Sequence, residues 1–155
     1  MYEKILVPLD GSDVAEAALP NVEDLAIRMA PGTKIEVTLL QVISNLTFNY
    51  ITDDERAQLP YSPDDLKHIE QLAKKYLEKV AEKLRAKGIN VKTLVIEGHA
   101  AEEIIKAADT TGANLIAMSS HGRSGLGRWA LGSITDKVLH ESHVPVLTVR
   151  AKHKQ

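Results

Sequence analysis

A chain of 155 residues with a formal net charge of −2, 44% hydrophobic and 26% charged residues has the size and composition of one globular domain. It holds no cysteine, which excludes disulfides, thiolate metal sites and cysteine nucleophiles. No apolar run approaches the ~20 residues of a membrane-spanning helix, and the balance of charge argues against nucleic-acid binding by bulk electrostatics.

Met1 to Lys4 lead into Ile5-Leu6-Val7-Pro8-Leu9 without the basic and apolar regions of a signal peptide, so a cytoplasmic location is expected. That apolar run is continuous rather than alternating and stops at Asp10-Gly11-Ser12, the pattern of a buried parallel strand. Ser12 suits an N-cap, and Ala15, Ala18, Leu19, Val22, Leu25, Ala26 and Met29 recur on one helical face up to Pro31-Gly32. Pro20 falls inside that pattern, where it either kinks the helix or has its missing N–H tolerated. Lys34 to Val42 reads as a second strand, and strand, helix, strand is a right-handed crossover unit feeding a parallel sheet.

Ser44 to Ser62 has no sustained period and exceeds the usual connection of about 4 to 6 residues. It carries Phe48, Tyr50 and Tyr61, and Thr52-Asp53-Asp54-Glu55 matches a capping box. It reads as a surface loop covering the sheet edge or as a lid or partner contact. Pro63 to Lys87 is the longest helix, with Leu66, Ile69, Ala73, Tyr76, Leu77, Val80 and Leu84 as its apolar stripe and Gly88 as its stop. Its lysines and glutamates form a solvated face.

Val91 to Glu97 is a third strand, Ala101 to Thr110 a helix closed by Gly112, and Leu115 to Ser119 a fourth strand. A helix from about Ser133 to Ser142 and a strand from Val144 to Arg150 complete a β-α-β-α-β-α-β-α-β order without repeats. The expected fold is α/β, a five-stranded parallel, doubly wound, Rossmann-like sheet in order 3-2-1-4-5 with helices on both faces. Residues 1–150 form the single domain and 151–155 a polar tail. In such a sheet ligands bind beyond the carboxyl ends of the strands at the switch point, where Asp10 and the segment after the fourth strand meet.

That segment, Ser119 to Ser133, holds four glycines and four serines before a helix. Gly125-Leu126-Gly127-Arg128-Trp129-Ala130 matches the G-x-G-x-x-A dinucleotide pattern, but that pattern belongs directly after the first strand. No P-loop motif occurs. Gly132-Ser133 at a helix start offers bare N–H groups and hydroxyls, Gly122 permits close backbone approach, and Arg123 and Arg128 carry charge suited to phosphate. Opposite Asp10, this constellation reads as an anion site.

The start Ile5-Leu6-Val7-Pro8-Leu9-Asp10-Gly11-Ser12, the spacing Ser119-x-x-Gly122, nine residues, Gly132-Ser133, and the terminal Val144-Pro145-Val146-Leu147 resemble the ATP-binding branch of the universal stress protein family. The resemblance implies that the backbone of Val42 meets adenine, with Pro8 and Leu9 in the pocket, and that Asp10 faces the ribose and any bound cation. Met118, Ser119, His121, Gly122 and Arg123 would line the ribose and phosphate path, and Gly132, Ser133, Ile134 and Thr135 would hold the phosphates. Ser119 departs from the family motif, which has glycine there; its Cβ and hydroxyl either crowd the ribose or add a hydrogen bond.

His99 and His121 fall in loops at the carboxyl end of the sheet, without a carboxylate fixed beside them by spacing. They read as ligand-contacting or solvated rather than catalytic. His140 and His143 lie at a helix end, where a metal site would lack carboxylate or thiolate partners. The expectation is therefore a regulatory stress-response homodimer, joined through Val144 to Val149, that binds ATP or a related adenine nucleotide with Mg2+ or Mn2+ carried by the nucleotide. It would have signalling partners, no nucleic-acid or membrane partner, no catalytic or metal-ligating residues of its own, and slow hydrolysis at most. The alternatives are a nucleotide hydrolase or transferase using Asp10 or His121, and a nucleotide-free interaction module.

Overall fold

The computed structural model describes residues 3–29, 32–43, 63–120 and 132–151. The elements run β1 (Lys4–Pro8), a 3-10 turn (Ala15–Ala18), α1 (Leu19–Arg28), β2 (Glu36–Ile43), α2 (Pro63–Arg85), β3 (Asn90–Glu97), α3 (Ala100–Thr111), β4 (Leu115–Ser119), α4 (Ser133–Glu141) and β5 (Val146–Val149). The five strands form one parallel sheet in the order β3-β2-β1-β4-β5, as the alternation of elements implies. β1 lies at the centre, with Lys4–Pro8 in register with Glu36–Leu40 of β2 and Ile5 opposite Leu115 of β4.

The inner strands β1 and β4 are covered on both faces, which is why they are almost uniformly apolar. Ile5, Val7, Leu39 and Ala117 pack against Leu19 and Val22 of α1 and Leu77 and Leu84 of α2. Leu6, Leu40, Ile116 and Met118 pack on the other face against Ile104 and Ala108 of α3 and Val138 of α4. Successive residues thus feed opposite cores, the period-two rule of a strand applied to two apolar faces.

The first helix is divided rather than continuous. Ser12 Oγ accepts the Ala15 N–H at 3.2 Å, the 3-10 turn follows, and the α-helix proper begins at Leu19. Pro20 therefore occupies the first helical turn, where a missing N–H costs no intrahelical bond, and no kink is needed. α3 ends as expected on Gly112, whose φ of 67° is left-handed and whose N–H caps the helix on Ala108 and Asp109 carbonyls. β5 begins at Val146, two residues later than its apolar run, because Ser142 Oγ engages both the N–H and the C=O of Val144 in a turn. Among the described residues no helix is long and apolar enough to cross a membrane.

α2 combines a buried and an open surface within two turns, since Leu77 is fully buried and Leu72 is 53% exposed. Leu77→Ala is expected to destabilise the fold by about 2–5 kcal/mol and Leu72→Ala by less than about 0.5 kcal/mol, measured by urea unfolding.

Candidate functional site

The carboxyl ends of β1, β2 and β4 place those of the expected site residues that are described at one edge of the sheet. Pro8 ends β1 and is half-buried, while Leu9 donates its N–H to the Leu40 carbonyl at 2.7 Å and buries its side chain in the α1/α2 core. Leu9 therefore presents only its backbone at this edge. Asp10 follows, half-buried, with Oδ1 accepting from the Ser12 N–H at 2.8 Å and from the Ser12 hydroxyl. This turn holds the carboxylate at the end of the central strand.

Val42 near the end of β2 and Met118 near the end of β4 both pack toward the α3/α4 face. By alternation Pro8, two residues after Leu6, shares that face, whereas Ser119 is directed with Ala117 toward the α1/α2 face. Ser119 is buried, and no described non-glycine residue has a positive φ. The position therefore asks for no glycine-only backbone, and its Cβ lies on the side of the sheet opposite Val42 and Met118.

Gly132 is the N-cap of α4, and it has no side chain to cap the helix. Its own N–H donates to the Ser120 carbonyl at 2.7 Å, and the Asp136 N–H bonds the Gly132 carbonyl at 2.9 Å. The N–H groups of Ser133, Ile134 and Thr135 precede the first intrahelical donor, the Asp136 N–H, and form the positive end of the helix. Ser133 and Ile134 are exposed, while Thr135 is 3% exposed and donates its hydroxyl to the Ser119 carbonyl at 2.9 Å. Thr135 Oγ is thus a tie between α4 and β4, and only its N–H is available to an anion. His121, Gly122 and Arg123, like Arg128 and the aromatic segment 44–62, lie outside the described residues.

Three features escaped the sequence reading. Ser120, next to the Ser119 motif position, is buried with its hydroxyl unpartnered beside the start of α4. Tyr76, assigned only to the apolar stripe of α2, has a buried hydroxyl oxygen without a hydrogen-bond partner. Burial, and then the charges of Glu16, Asp10 and Asp13, raise its pKa far above the ordinary phenol value. The hydroxyl stays protonated near these carboxylates, which Glu16 approaches without reaching hydrogen-bond geometry. The third is Glu103, whose side chain folds onto the β3–α3 turn. His99 in that turn is exposed and leads α3 without a side-chain cap. His140 does have a carboxylate nearby, with Nδ1 3.4 Å from Asp136 Oδ1, contrary to the expectation for that helix end. Among the described residues no group of three metal-ligating side chains forms.

This fold, with an uncapped helix start held at the end of β4, defines a doubly wound α/β protein with an open helix N-terminus at the carboxyl edge of its sheet. The chain belongs to the universal stress protein family, whose pattern it matches over residues 1–150. Universal stress protein MJ0577 of Methanocaldococcus jannaschii is 32% identical over 162 residues, covering 99% of this chain and 98% of that protein. The MJ0577 structure superposes with a TM-score of 0.81 at 34% identity, covering 99% of both chains. A universal stress protein in complex with cAMP shares the fold at 18% identity, with a TM-score of 0.65 and coverage of 97% and 98%. So does a family protein from Arabidopsis thaliana with AMP bound, at 16% identity, a TM-score of 0.64 and coverage of 96% and 92%.

Because the Tyr76 hydroxyl gives up solvation without gaining a partner, Tyr76→Phe is expected to leave stability unchanged or raise it by up to about 1 kcal/mol in urea unfolding. A loss of more than about 1 kcal/mol would reveal a hydrogen bond to that oxygen.

Proposed function

We infer that this chain binds ATP or a related adenine nucleotide at the carboxyl edge of its sheet and acts as a nucleotide-dependent stress-response regulator. The observation that carries the reading is the uncapped start of α4 at Gly132, held by the Ser120 carbonyl one strand away from Asp10. Free N–H groups at a helix start suit phosphate, and a carboxylate at the end of β1 suits ribose hydroxyls or a cation carried by the phosphates. Val42, Pro8 and Met118 supply the apolar surface a base requires. His121, Gly122 and Arg123 would complete the phosphate path. Bound cAMP and AMP in proteins of the same fold agree with this choice of ligand class. Slow hydrolysis at most is part of the reading, since the sequence offers neither a P-loop lysine nor a motif-fixed arginine finger.

Titration calorimetry with ATP and Mg2+ is expected to show one site per chain, and Gly132→Val to weaken it by roughly tenfold or more through lost backbone approach. The Gly132 φ of −56° and ψ of 146° are open to valine, so unfolding should be little changed. No binding by the unmodified protein, and no nucleotide released on denaturing it, would end the nucleotide reading.

The same proposal includes a homodimer joined through β5, the apolar edge strand of the sheet. The Ile116 N–H bonds the Pro145 carbonyl and the Ser120 N–H the Val149 carbonyl, so odd-numbered residues of this strand face β4. The N–H of Thr148 consequently points to the outer edge. Thr148→Pro is expected to leave the β4 ladder intact and convert a dimer into a monomer in sedimentation velocity. An unmodified protein that sediments as a monomer would remove this part of the proposal.

A further inference from the structure

We propose that Glu103 reads the base, accepting a hydrogen bond from the 6-amino group of adenine and so setting preference for 6-amino over 6-oxo purines. This rests on the nucleotide reading above.

The β3–α3 turn is tied to the end of β2, because the Gly98 N–H donates to the Ile43 carbonyl at 3.0 Å. Gly98 has a φ of 152°, and a Cβ there would stand 2.7 Å from Glu103 Cγ and 3.0 Å from Oε1. Glycine thus makes room for the Glu103 carboxylate to fold back across the turn. Ile96, opposite Val42 in the β2–β3 register, packs with Val42 on the α3/α4 face, and Gly98 follows directly on the end of β3. Glu103, in the first turn of α3 and folded onto Gly98, therefore stands at the α3 end of that face, one strand from Val42. Glu102 lies on the other flank of α3, where it pairs with Lys137 of α4 at 3.2 Å. Glu103 is half-buried, and among the described residues its carboxylate enters no ion pair or hydrogen bond.

From β3 to β4 the sheet spans three strand spacings, ~14 Å. Glu103 marks one end of that span and the start of α4 the other, with Val42, Pro8 and Asp10 between them. Phosphates at α4 direct the base toward Glu103. A carboxylate only accepts hydrogen bonds, so it favours an amino group and repels a carbonyl oxygen at the same ring position.

The test compares ATP with ITP, which share sugar and phosphates, by calorimetry on the full chain with Mg2+. The unmodified protein is expected to bind ATP at least about tenfold tighter, and Glu103→Gln to lower the ATP:ITP ratio by about fivefold or more, because a carboxamide also donates. Glu102→Gln removes the same charge from the same turn and should leave the ratio unchanged. An unchanged ratio in Glu103→Gln with ATP still bound overturns the proposal and leaves the nucleotide site standing. An equal fall in Glu102→Gln also overturns it, as an effect of charge alone. Failure of the unmodified protein to bind either nucleotide overturns both readings.

Discussion

The parallel pairing of β1 with β2 on one side and β4 on the other sets where the described candidate ligand groups stand. A parallel ladder points all carboxyl ends the same way, and every crossover helix must then begin at that edge. At β1 and β4 the chain turns from building the sheet in one direction to building it in the other, so the connections leave to opposite faces and a cleft opens. Asp10 stands at the end of one of these strands. Ser119 and Ser120 end the other.

The same pairing limits composition. With α1 and α2 on one face and α3 and α4 on the other, β1 and β4 have no solvent side. Polar residues therefore appear where a strand has passed beyond its helices, which is why Asp10 and Ser119-Ser120 follow Leu9 and Met118 so abruptly. Ser120 and Thr135 remain buried even so, and Thr135 spends its hydroxyl on the Ser119 carbonyl to hold α4 to β4. Stability and ligand-facing geometry are set here by adjacent groups: the Thr135 side chain serves the fold and its N–H the helix start.

The sheet order and helix positions were legible because each rests on local periodicity: continuous apolar runs for β1 and β4, three-and-four spacing for α2 and α3. The helix start at Gly132 was legible for the same reason, since a glycine before a helical pattern needs no tertiary contact to be read. The division of the first helix was not, because Ser12 competes for the Ala15 N–H only once Asp10 has fixed the turn. Glu103 looked like any acidic residue in a first helical turn, and its position depends on Gly98, which β2 anchors from 55 residues earlier in the chain. Tyr76 fitted an apolar stripe so well that periodicity concealed its hydroxyl.

Ser119 shows how a motif departure is judged by direction rather than by size. A serine in place of the family's first motif glycine suggests a narrowed ribose site when only the spacing is considered. Strand alternation sends its side chain to the α1/α2 face, however, while Pro8, Val42 and Met118 serve the other face. The backbone of Ser119 also lacks the positive φ that would demand glycine. The substitution is therefore absorbed behind the sheet, toward the 3-10 turn of Ala15–Ala18 that packs on β4, and the α3/α4 face keeps the shape that Val42 and Met118 define.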